Sequence, residues 1–160
     1  MTNRKLADLN EQTSPLALWR SAPAEILTSR DANCVRRALR GLQIFDEPTW
    51  NDAVHGDAAA AIGIAIRLAV KSRLVEPLVD LVMSPVLAAA IEGDAAARAF
   101  ISHMLLKCAG ADPAAQSLAK SWTEANRAAA RSSRLTKPEP HMRRPRNRRV
   151  MSCAASHGRR

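Results

Sequence analysis

Gly56-Asp57-Ala58-Ala59-Ala60 recurs 37 residues later as Gly93-Asp94-Ala95-Ala96-Ala97. Glycine accepts the left-handed backbone that ends a helix. An aspartate carboxylate accepts from the free N–H groups at the start of the next one, and alanine is the best helix former for the first turn. The repeated string therefore reads as a helix–helix junction used twice. Helix starts near 57, 76, 94 and 112 lie about 18 residues apart, and two helices per 37 residues is the pitch of helical-hairpin repeats. Two such units are fewer than an array needs, and the interior residues diagnostic of tetratricopeptide or ankyrin repeats are missing. The fold class that follows is all-α: a compact bundle of about five to eight helices, with two stacked helical hairpins as its further form.

Outward from that stretch, the prolines and caps give a coarse map. Ser14-Pro15, Ser84-Pro85 and Asp112-Pro113 each pair a capping residue with a proline suited to a first helical turn. Asp31, Asp57, Asp94 and Asp112 mark starts, and Gly56, Gly93 and Gly110 mark stops. The expected helices cover 4–12, 15–20, 23–29, 32–43, 48–54, 58–72, 77–91 (broken or kinked at Pro85), 95–108 and 113–130.

Apolar spacing supports the map. Val35, Ala38, Leu39 and Leu42 form one face of the 32–43 segment. In 95–108, Ala97, Phe100, Ile101, Met104, Leu105 and Cys108 share a face opposite Arg98, Ser102, His103 and Lys107. Ala115, Leu118, Trp122, Ala125 and Ala129 make a stripe in 113–130, with Lys120, Glu124 and Arg127 outside. Ile62, Ile64, Ile66, Leu68 and Val70 surround most of 58–72, leaving Arg67 and Lys71 as its polar line. That helix is expected to be the central, most buried one.

Charge divides the chain. Residues 1–130 carry 14 Lys/Arg against 14 Asp/Glu, whereas residues 131–160 carry 10 Lys/Arg against the single acid Glu139, so the whole net charge of +9 lies in the last thirty positions. Arg131 to Arg149 holds three prolines and seven arginines with almost no apolar side chains. Such a segment cannot bury enough surface to offset its ordering entropy, and it reads as a disordered basic tail. The domain plan is an N-terminal arm over 1–12, a helical domain over 13–130 and the tail over 131–160.

Cys34, Cys108 and Cys153 are odd in number and widely spaced, which fits a reducing compartment rather than a disulfide framework. Cys34 and Cys108 read as small core residues. No secretory leader or membrane span is expected: Leu6 to Glu11 lacks an apolar run, and the stretch Ala58 to Ile66 is too short to cross a bilayer. The location read from this is cytoplasmic, with secretion by a nonclassical route as the other course. Heavy use of Ala and Arg fits a bacterial reading frame of high GC content.

No phosphate-binding glycine loop, nucleophile elbow or His-Glu-x-x-His is present. The one acidic cluster, Asp46, Glu47 and Asp52 beside Trp50 and His55, could hold a cation or supply acid–base groups, but a solvated loop and helix cap explain it. His103 and Cys108 fall on different helix faces, and Cys153, His157 and His141 do not complete a tetrahedral set. The reading is a noncatalytic protein with no cofactor and no metal.

Two features point to a partner. Arg30, Asn33, Arg36, Arg37 and Arg40 share the face opposite the apolar stripe of 32–43, and guanidiniums with an amide suit phosphates and base edges. Ser29-Arg30 and Val35-Arg36-Arg37-Ala38-Leu39 resemble the recognition helices of bacterial helix-turn-helix regulators, which often read Ser-Arg-x-x-Val-Arg-x-Ala-Leu. Here two extra residues intervene, and no wing is visible. In the tail, Arg143, Arg144, Arg146, Arg148 and Arg149 could hold phosphate backbones by counterion release. The same Arg144-x-Arg146-x-Arg148 spacing resembles the Arg-rich signals of some type IV secretion substrates, although the upstream arginine is Arg134 rather than at 136. The resulting expectation is a regulatory or accessory protein that contacts nucleic acid. Its rival is a helical adaptor or secreted effector that binds a protein, with the tail as an export or anchoring signal.

Overall fold

The computed structural model describes residues 14–44, 46–69, 77–110 and 112–135. The expected helix over 4–12 and most of the basic tail lie outside the described residues. Two short 3-10 helices, Pro15–Arg20 and Ala24–Ile26, lead into α1 (Ser29–Leu39), α2 (Trp50–His55), α3 (Ala58–Ala69), α4 (Pro77–Glu92), α5 (Ala95–Ala109) and α6 (Pro113–Leu135). No strand occurs among the described residues. The all-α bundle is therefore as the sequence implies.

The repeated Gly-Asp stretch folds the same way twice. Gly56 and Gly93 take φ of 114° and 111°. The Gly56 amide donates to the Ala53 carbonyl at 3.3 Å and the Asp57 amide to Asp52 at 3.0 Å. The second copy matches, with Gly93 to Ala90 at 3.2 Å and Asp94 to Ala89 at 3.0 Å. These are the paired bonds of a Schellman stop, which satisfy carbonyls that a helix end leaves free. Each aspartate then caps the next helix: Asp57 Oδ1 accepts from the Ala60 amide at 3.0 Å and Asp94 Oδ1 from Ala97 at 2.7 Å. The repeat is one junction, built twice, and it turns α2 into α3 and α4 into α5.

The centre of the bundle is α4, not the 58–72 helix. Every residue from Val82 to Ala90 is buried, and no charged residue lies between Asp80 and Glu92. A helix apolar on all sides is stable only when neighbours cover it all round. It packs against the first 3-10 helix, α1, α3 and α5, while α5 packs on α6. In α3, by contrast, Ala61, Ile64 and Ala65 are buried, but Ile66 is 49% exposed and Arg67 is exposed.

Pro85 does not break α4. The residue before it turns inward instead of capping: Ser84 Oγ donates to the Asp80 carbonyl at 2.7 Å and lies 3.3 Å from the Leu16 carbonyl. The first 3-10 helix is further pinned by buried Trp19, whose Nε1–H donates to Asp80 Oδ1 at 2.9 Å, and by the Arg20–Asp80 ion pair.

On α5, Ala97, Ile101, Met104 and Leu105 are buried as their spacing predicts, while Phe100 and Cys108 are half-buried. Burial raises the Cys108 thiol above its ordinary range. Ser102 corrects the expected polar face. It is buried, donating to the Ala119 carbonyl at 2.9 Å and lying 2.8 Å from Thr123 Oγ1, so it joins α5 to α6. The α6 stripe centres on buried Ala119 and Trp122, with Lys120, Glu124 and Arg127 exposed.

Candidate nucleic-acid interface

The α1 helix starts earlier than expected. Asp31 is not its first cap but the third helical residue, where its carboxylate accepts from the Thr28 amide at 2.8 Å and the Thr28 hydroxyl at 2.7 Å. That reciprocal contact fixes the entry at Thr28, and the acid complements the helix dipole. The helix also stops earlier, at Leu39, and the chain turns through Arg40-Gly41. Ala32, Val35 and Leu39 are the buried stripe. Ala38 is exposed and Leu42 is 42% exposed, so two of the four expected core positions face outward. Cys34 is exposed as well, against the expectation of a core thiol.

The five α1 residues expected to contact nucleic acid divide into two sets. Arg30, Asn33, Arg37 and Arg40 are exposed. Helical spacing places Arg30, Cys34 and Arg37 along one line of that surface, at i, i+4 and i+7. Arg36 turns the other way. Its Nη1 donates to the Val54 carbonyl at 2.7 Å, and its Nε and Nη2 donate to the Glu92 carboxylate. It packs against Gly56, so it ties α1 to the ends of α2 and α4. Arg36 is thus a structural clamp with its donors engaged. Arg20 and Arg67 are likewise ion-paired, with Asp80 and Glu47, and Arg98 Nε donates to the Ala90 carbonyl at 2.9 Å. Among the described residues, Arg30, Arg37 and Arg40 have no acidic partner. Arg143, Arg144, Arg146, Arg148 and Arg149 lie outside the described residues.

What precedes α1 is a single 3-10 turn, Ala24–Ile26, rather than the helix expected over 23–29. A helix-turn-helix reader needs a first helix to cross the phosphate backbone, and that part of the resemblance has no counterpart here.

A cleft that no motif or spacing announces opens where α1 runs out. It has a volume of about 330 Å³ and is lined by residues of 39–44 and by Glu47, Pro48, Trp50, Asn51, Val54 and His55. Trp50 is buried beneath it, with its indole N–H donating to the Leu42 carbonyl at 2.7 Å. The visible signal was the Trp50 and Leu42 pair flanking a glycine turn, but neither residue type says that a hollow forms between them. Only Glu47 and His55 of the acidic group line the cleft. Asp46 and Asp52 do not, so the carboxylates fail to converge. Glu47 is 9% exposed and bound to Arg67, whose own guanidinium is held further toward the charged form by that hydrogen bond. Among the described residues no group of three or more His, Cys, Asp or Glu side chains could hold a metal ion. A second, more open groove has a mixed lining, with Pro23, Ala114 and Leu118 beside Ser21, Lys120 and Glu124. No helix among the described residues is long and apolar enough to cross a membrane.

No family model, curated protein or solved structure matches the chain.

Proposed function

We propose that this is a noncatalytic accessory or regulatory protein that binds nucleic acid through the exposed face of α1 and the basic segment around Arg143–Arg149. The observation that supports it is the set of exposed guanidiniums at Arg30, Arg37 and Arg40, which have no acidic partner among the described residues, whereas Arg20, Arg36, Arg67 and Arg98 are committed to carboxylates or carbonyls. Exposed arginines without a carboxylate partner have phosphates to gain, and the counterions released add to the affinity. Arg36 drops out of the contact set because its donors are used within the fold. The five tail arginines supply a sequence-independent attraction, and Asn33 the one amide on the helix face.

Cys34 gives the test its probe, since it is exposed between Arg30 and Arg37. In a Cys153→Ser chain, a maleimide is expected to modify Cys34 before half-buried Cys108. Duplex DNA or structured RNA at low salt should slow that modification at least tenfold, and added salt should reverse the protection. Unchanged labelling together with no mobility shift on any polynucleotide would remove the proposal.

A further inference from the structure

We infer that the cleft at the C-terminal end of α1 holds one unstacked base of a single-stranded RNA, with the adjoining phosphates on Arg40 and Arg37. The inference rests on the nucleic-acid reading above and assigns it a strand type and a pocket. The cleft volume of about 330 Å³ is at the small end of ligand sites, the size a single ring system fills. Its walls mix the two surfaces that a base needs. Leu42 and Pro48 are exposed apolar surface, and Ile44 in the same lining is half-buried. The His55 ring is held in place, with Nδ1 2.7 Å from the Asn51 carbonyl. Since a carbonyl only accepts, Nδ1 carries the proton, and the ring offers a flat stacking face of the kind that single-stranded bases use.

At the rim, Gln43 and Asn51 are exposed, and neither side-chain amide has a partner among the described residues. An amide both donates and accepts, which suits a base edge or a 2′-hydroxyl. The charge is complementary too. Glu47 in the wall is paired with Arg67, and Arg40 at the opening has no acidic partner among the described residues, with Arg37 one turn back. A duplex keeps its bases stacked, and extracting one costs a few kcal/mol. A single strand offers its bases at much lower cost. Sequence-selective RNA recognition works mainly on such loops and ends, which is why RNA is the occupant inferred.

The test uses the full chain and a twelve-nucleotide RNA carrying 2-aminopurine, with the matched RNA duplex and the matched single-stranded DNA as comparisons. Wild type should bind the single-stranded RNA at least tenfold more tightly than the duplex and than the DNA, with a change in 2-aminopurine emission on binding. Leu42→Asp should abolish both the preference and the emission change while residual duplex binding persists. Gln43→Ala paired with Asn51→Ala should weaken the single strand three- to tenfold, and both substitutions are at exposed positions that leave the helical circular dichroism intact. Equal binding of single strand and duplex, or indifference to all three substitutions, overturns the cleft and leaves the proposed function standing. Equal binding of the DNA overturns the choice of RNA. Failure to bind any of the three overturns the cleft, and failure to bind duplex DNA as well overturns both readings.

Discussion

A guanidinium at position 36 has two acceptors in reach, the Val54 carbonyl at 2.7 Å and the Glu92 carboxylate, and its side chain is only 17% exposed. One residue later, Arg37 is exposed with neither. Removing the first leaves a helix-end carbonyl and a carboxylate without their donor. Removing the second changes only surface charge. Arg36→Gln should therefore lower unfolding stability by about 1–2 kcal/mol, the half-exposed Glu92 partner holding the loss below that of a fully buried pair. Arg37→Gln should leave stability within about 0.5 kcal/mol and instead weaken polynucleotide binding. Denaturant melts of the two variants check this, and equal melts would contradict the division of roles. The same clamp ranks the two junction glycines. Both need a positive φ, which costs an L side chain about 1–2 kcal/mol. A Cβ at 56 would also sit 3.3 Å from the Arg36 guanidinium, whereas at 93 the nearest atom is 4.0 Å away. Gly56→Ala is expected to destabilise more than Gly93→Ala, and thermal unfolding of both should show that order.

Elements were legible where a residue has one local reason to be there. The Gly-Asp junctions, the α5 apolar stripe and the start of α6 at Pro113 each follow from caps, φ preferences or 3.6-residue spacing, and each stands where the sequence places it. Three misreadings turn on a partner distant in sequence. Ser84-Pro85 looks like a helix start, but Ser84 is drawn inward by Asp80 and Leu16, and α4 runs on through it. Ser102 sits among polar neighbours, yet it faces Ala119 and Thr123 of the next helix. Arg36 lies on the basic face by spacing, yet Glu92 is 56 positions away. These cross-element contacts can be tested as such. Asp80 accepts from Trp19 Nε1 and from Arg20, so Asp80→Ala strands a buried indole N–H and frees the first 3-10 helix. A loss of about 1–3 kcal/mol is expected, with limited proteolysis cutting first between residues 14 and 28. Ser102→Leu puts three carbons in place of the hydroxyl oxygen in the contact between α5 and α6, and overpacking of that kind should cost about 1–3 kcal/mol. Ser102→Ala should cost less, because Thr123 still donates to the Ala119 carbonyl at 3.0 Å.

At the scale of the whole molecule, charge is partitioned more sharply than structure. The first 130 residues are neutral in sum, and the last thirty carry +9. That division could be read directly, because it needs only counting. The cleft could not, since it depends on where α1 stops and where Trp50 lands, and both are set by packing. The partition predicts two separable contributions to binding. A polynucleotide held by the tail alone should respond to salt and not to strand type. One that also engages α1 should keep a smaller salt response when the tail is neutralised. Each phosphate neutralised on a duplex contributes about −0.9 to the slope of log K against log salt. Replacing Arg143, Arg144, Arg146, Arg148 and Arg149 by Gln should therefore flatten the slope by up to about 4.5, and replacing Arg30, Arg37 and Arg40 by up to about 2.7. Phosphate contacts made independently by the two sets should add. Full-length variants titrated from low to moderate salt measure this. A flat response to the α1 set, with the tail set accounting for the whole slope, would leave the helical face without a phosphate-binding role and make the tail the only anchor.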